Sequence, residues 1–145
     1  MRLLVAAAVI AAGVPAGAYA QAAPDSYAEH LLGALKQGKI AEGLAGIEAT
    51  SVLMKGKLGP SSDMAKQLQT MLDTYGPITG WERVSSEAMG TMLRRDTYIV
   101  QHRDAVIRWR FVYTRTGTGW AVGQFAFEDN AAAWFNPALP PPPEH

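Results

Sequence analysis

Residues 92–115 read MLRRDTYIVQH, then RD, then AVIRWRFVYTR. Two runs rich in aromatic and β-branched residues flank a two-residue connection, Arg103-Asp104. That is the favoured length for a tight β-hairpin. A turn this tight pairs Val100 with Ile107, Tyr98 with Trp109, Asp96 with Phe111 and Arg94 with Tyr113. Side chains alternate between the faces of a strand, so one face collects Tyr98, Val100, Ile107, Trp109, Phe111 and Tyr113. This is the expected core face. The opposite face carries Arg95, Thr97, Gln101, Arg108, Arg110 and Thr114, polar with a basic accent.

The pattern extends outward in both directions. Trp81 to Met89 reads as a preceding strand joined through Gly90-Thr91. The same arithmetic pairs Trp81 with Val100, Arg83 with Tyr98, Ser85 with Asp96 and Glu87 with Arg94. Trp120 to Glu128 reads as a fourth strand after the Gly117/Gly119 turn. Phe125 and Phe127 are expected inward there, with Trp120 and Val122 as the rival set, because a one-residue slip exchanges the two. The result is an antiparallel meander whose apolar face needs a cover.

The cover comes from upstream. Ser26 and Glu29 have capping-box spacing, and Tyr27, Leu31 and Leu35 follow as one stripe, with Gly38 as the stop. A second helix is expected over 39–49 with Ile40, Leu44 and Ile47 inward. The clearest helix starts near Ser62 or Asp63. Met64, Leu68, Met71, Leu72 and Tyr75 mark its face, and Gly76-Pro77 end it. The fold class is therefore α+β: N-terminal helices packed on a four-stranded antiparallel meander.

Residues 1–20, MRLLVAAAVIAAGVPAGAYA, have the parts of a secretory signal: Arg2, the apolar run Leu3 to Val14, and Ala18-Tyr19-Ala20 as the cleavage site. The expectation is a signal peptide over 1–20, one domain over 21–130 and a Pro-rich flexible tail over 131–145, in a periplasmic or secreted protein. No membrane span is expected once the signal is removed. The chain has no Cys, so its stability must come from its core, and thiol chemistry is excluded. With 13 basic and 13 acidic residues, it has no bulk charge to attract nucleic acid.

Three constellations could carry function. The inner face carries Arg83, Glu87, Arg94 and Asp96 beside Tyr98 and Trp109. Read as a pocket floor, Arg83, Arg94, Asp96, Tyr98 and Trp109 would line a small-molecule site, with an Arg clamping a carboxylate or phosphate. Read as structure, the ions are cross-strand salt bridges. The outer face offers Arg95, Arg108 and Arg110 as an interaction surface, including one for a homodimer, against the plainer reading of a wet sheet face. The aromatic set reads as core rather than a ligand cage. His30, His102 and His145 lack metal-ligand spacing, and no serine has an activating His–Asp pair. No catalytic residue, metal or cofactor is assigned.

The pieces Tyr75-Gly76, Trp81-Glu82, Trp109-Arg110-Phe111, Gly119-Trp120 and Phe125-Ala126-Phe127-Glu128-Asp129 resemble small exported bacterial proteins of unknown function. Those have a cone-shaped α+β fold similar to the nuclear transport factor 2-like superfamily. The resemblance covers about residues 25–130. It implies a sheet wrapped around a long helix with a pocket between. Enzymes of that superfamily tend to place an Asp–His or Asp–Arg pair deep in the pocket. Here Asp96 has no His close on its face, since His102 lies about 20 Å along the extended strand. The leading expectation is a non-catalytic binding or interaction module whose partner is a small molecule or an envelope protein. The alternatives are an enzyme using Asp96 with Arg83 or Arg94, and a structural envelope protein acting through its outer sheet face.

Overall fold

The computed structural model describes residues 24–135. The signal peptide expected over 1–20 and residues 136–145 of the tail expected over 131–145 lie outside the described residues. Helices α1 (Asp25–Lys36), α2 (Ile40–Glu48) and α3 (Asp63–Tyr75) precede strands β1 (Ile78–Met89), β2 (Leu93–His102), β3 (Val106–Thr116) and β4 (Gly119–Glu128). The four strands form one antiparallel sheet in the order β1-β2-β3-β4. A 3₁₀ turn, Ala131–Trp134, follows.

The central hairpin has the register its sequence dictates. Val100 faces Ile107, Tyr98 faces Trp109, Asp96 faces Phe111 and Arg94 faces Tyr113. Alternate residues of β3 are buried without a break from Ile107 to Tyr113. Their rings stack along the strand, Trp109 on Phe111 at 5.9 Å and Phe111 on Tyr113 at 6.3 Å. The helices bury Leu31, Leu32, Leu35, Leu44, Ile47, Leu68 and Met71 in the same cluster as these rings. The apolar face of the sheet is thus covered by three short helices.

Local chemistry accounts for most helix boundaries. At α3 the Ser62 hydroxyl accepts from the Ala65 amide at 3.2 Å, and Gly76 ends the helix with φ +81°. At α1 the expected capping box does not form. The helix begins two residues earlier, with Pro24 in place of Ser26 at the N-cap and no side-chain hydrogen bond. Asp25 in the first turn instead complements the helix dipole and reaches across to Arg83 on β1.

Three register shifts separate the sheet from uniform pairing: one at the start of β1, between Ile78 and Gly80, and two that decide which side chains point inward. The first of these two falls between Arg83 and Ser85, so Ser86 faces Asp96, Glu87 faces Arg95 and Ala88 faces Arg94. Ser85 and Glu87 are therefore not opposite Asp96 and Arg94 as the uniform register requires. Val84 is the extra residue, half-exposed at the edge of the sheet. A bulge of this kind exchanges the faces of every residue beyond it, and it moves Glu87 from the inner to the outer face. The second shift falls where Val112 faces Gln124 but Tyr113 faces Val122. Gly123 is skipped. As a result Phe125 and Val122 both point inward, although they belong to rival alternation sets.

Candidate functional site

Apart from Glu87, the charged inner-face residues named from the sequence meet at the β1/β2 end of the covered side. Asp96 is completely buried. Arg94, two residues earlier on the same face of β2, donates from Nε to Oδ1 and from Nη2 to Oδ2, both at 2.8 Å. Arg94 Nε also lies 2.9 Å from the Ser86 hydroxyl on β1. Arg83 places Nη1 3.7 Å from Asp96 Oδ2 and 3.0 Å from Asp25 Oδ2. Helix α1 thus completes the cluster. Glu29, one turn further on, accepts from Trp81 Nε1 at 2.6 Å. Asp25 and Glu29 lie 58 and 52 residues from these partners, so no local sequence signal marks them.

Two cations and two anions balance in this cluster. The Asp96 hydrogen bonds raise the pKa of Arg94 above its ordinary value, opposed by a smaller desolvation effect. A carboxylate gripped on both oxygens by a guanidinium is a positioned ion rather than a free base.

Above it the polar groups are not satisfied. Tyr98 Oη, Trp109 Nε1 and Tyr113 Oη are buried with no hydrogen-bond partner among the described residues. Burial pushes the Tyr98 phenol up to about 12, helped by the nearby Glu29 and Asp96 carboxylates. Burial also raises Tyr113, with Tyr98 and Asp96 acting in the same direction. Arg83, Arg94, Asp96, Tyr98 and Trp109 therefore share one face and one neighbourhood, but the helices fill the space above the rings. His102 is separate. It is buried at the far end of β2, with Nδ1 2.8 Å from the Gly76 carbonyl oxygen and its ring against Tyr75.

On the outer face each of the three arginines has an acidic neighbour. Arg95 Nε donates to Glu87 at 2.7 Å. Arg108 binds Glu128 through Nε at 2.6 Å and also through Nη2. Arg110 Nη2 lies 3.3 Å from the same Glu128 oxygen. Trp134 folds back over Arg108, with the guanidinium 5.2 Å from the ring centroid, while Phe135 stays exposed. Glu87 and Glu128 are the partners that alternation alone did not supply: the first needs the bulge, the second the β4 register.

Two clefts open on this face. One, of about 260 Å³, lies at the β1–β2 hairpin against Met89, Leu93 and Val112. The other, of about 190 Å³, lies between Arg95, Arg110, Val112, Gln124 and Ala126. A larger, more open cleft of about 590 Å³ runs beside α2 along Ala41, Ala45, Val52 and Leu58. Among the described residues no helix is long and apolar enough to cross a membrane. Compared with known protein families, with curated proteins and with solved structures, the chain has no match.

Proposed function

We propose that this chain is an exported, non-catalytic interaction module that meets its partner with the outer face of its sheet. One observation carries the reading. The two outer clefts share Arg95 and Val112, so they adjoin as a single trough across β1, β2, β3 and β4. The inner ions are spent on one another beneath the helices. An arginine-rich sheet face beside exposed Met89 and Leu93 has the ingredients of a recognition surface. Export rests on the signal-like composition of residues 1–20. The order of helices followed by a meander supports the likeness to the nuclear transport factor 2-like fold, which forms part of the same proposal. A second copy of the chain is one partner such a face could take.

The test is site-specific photocrosslinking in the source cells. A photoreactive residue at Gln124, on the outer face, is expected to give discrete covalent adducts. The same residue at Gln37, beyond the end of α1, is expected to give none. Equal labelling from both positions, or no adduct from Gln124, overturns the reading.

A second reading is favoured by the three partnerless donors at Tyr98, Trp109 and Tyr113. Buried donors without acceptors suit a small ligand rich in acceptor oxygens, which would have to displace the helices that cover these rings. Native mass spectrometry of protein purified from its host tests it. A retained small molecule supports the reading, and a bare polypeptide mass counts against it.

A further inference from the structure

The two halves of the outer trough differ in chemistry. The hairpin half is apolar: Met89 is 74% exposed and Leu93 37% exposed, with Val112 beneath them. The other half is cationic and amide-lined, with Arg95, Arg110 and Gln124 around Val112.

The carboxylates beside the trough are shared unevenly among its arginines. Arg95 has Glu87 as its own partner. Glu128, however, serves two guanidinium groups. Arg108 takes it with two nitrogens, while Arg110 stands further off at 3.3 Å from one oxygen. The Arg110 side chain is 43% exposed and faces the cleft. It retains donors for a second carboxylate, which would meet a fork geometry rather than a point charge.

Spacing then constrains the partner. Arg110 and Val112 are two residues apart on β3, about 7 Å along a strand. The same repeat separates same-side residues of any extended peptide. We propose that the outer trough takes an extended peptide segment of a partner protein with an acidic side chain two residues from a large apolar one. The carboxylate pairs with Arg110, and the apolar side chain enters between Met89, Leu93 and Val112. This rests on the outer-face reading and gives it a ligand class.

The experiment is an NMR titration of the ¹⁵N-labelled protein with short synthetic peptides. The first contains Glu-Ser-Leu, the second Gln-Ser-Leu and the third Glu-Ser-Ala, each flanked by glycines. The first peptide is expected to shift the amides of Leu93, Val112 and Gln124, and less so at higher salt. Replacing its Glu by Gln, or its Leu by Ala, is expected to weaken binding about tenfold or more. Arg110→Gln, confirmed folded by its own amide spectrum, is expected to erase the preference for Glu over Gln while the preference for Leu over Ala survives. Equal affinity for the Glu and Gln peptides overturns the proposal. So does a shift map centred elsewhere, or no shift at millimolar peptide. If Gln124 still crosslinks in cells under any of those outcomes, the interaction face stands and only the acidic–apolar ligand class falls.

Discussion

Arg94 grips Asp96, its neighbour two positions along the same strand, through two parallel hydrogen bonds of 2.8 Å, and the carboxylate they hold has no exposed surface. Residues two apart on a strand point the same way, so the pair costs no backbone distortion. The guanidinium on both oxygens explains how a charge is tolerated among aromatic rings.

Removing one member of this pair should therefore cost far more than removing its satellite. Asp96→Ala is expected to lose about 3 kcal/mol, because a guanidinium is left at the edge of the core. Arg94→Ala should lose at least as much, since Asp96 would keep only Arg83 at 3.7 Å. Arg83→Ala, at a site whose side chain is 39% exposed, should lose under about 1 kcal/mol. Urea unfolding of the three variants measures this order. An Arg83 variant as damaged as the Arg94 variant would contradict the geometry.

The tyrosine hydroxyls carry the opposite expectation. Tyr98→Phe and Tyr113→Phe each delete a buried hydroxyl without a partner. Each is expected to leave stability unchanged or raise it by up to about 1 kcal/mol. A clear loss of stability would mean that the hydroxyl has an acceptor, as the small-ligand reading requires. Thermal melts of protein before and after unfolding and refolding separate the two, because refolding discards a retained ligand.

Alkaline pH should expose the same groups. Tyr98 binds its proton more tightly in the fold, with a pKa of about 12 against the ordinary 10.0, chiefly because burial disfavours the phenolate. Above about pH 10 the unfolded chain therefore holds fewer protons than the native one, so stability falls as pH rises. The contribution is intact below about pH 10 and is lost progressively toward about pH 12. Tyr113 is raised as well and adds to the same fall. Urea midpoints across this range should decline, and more gently in Tyr98→Phe. A flat profile would contradict the burial of the phenols.

Helix starts give a paired comparison. Ser62→Ala is expected to cost about 1 kcal/mol, since it removes a formed N-cap bond. Ser26→Ala is expected to cost under about 0.5 kcal/mol, since that side chain caps nothing and is exposed. Denaturant midpoints of the two variants decide this, and equal losses would restore the capping box at Ser26.

In the core of α3, Leu68→Ala should cost about 3 kcal/mol, as at a fully buried aliphatic site. Leu72→Ala, half-buried one turn on, should cost less. Circular dichroism melts compare them. A larger loss at Leu72 would mean that α3 is rotated about its axis.

Alternation and turn length were enough to write down the Tyr98–Trp109 and Val100–Ile107 pairs, because a two-residue turn leaves no freedom in register. The 3.6-residue stripe of α3 was legible for the same reason: its period is local. Strict alternation puts the Glu87 side chain on the inner face, whereas it lies on the outer one. The bulge at Val84 that moves it is an accommodation of sheet twist and edge position, not a property of neighbouring residue types. The skip at Gly123 likewise reconciled two sets of inward residues that a strict two-residue period makes exclusive.

The amino-acid order by itself determined the central hairpin, the inward-facing rings and the strongest helix, since each follows from geometry within a few residues. Only the tertiary structure decided which charges meet. Asp25 joins Arg83 and Glu29 joins Trp81 because α1 lies against β1. Glu128 is shared between Arg108 and Arg110 because β4 returns beside β3. Such contacts depend on where whole elements settle under the pull of a common core, and a side chain carries no mark of a partner fifty residues away.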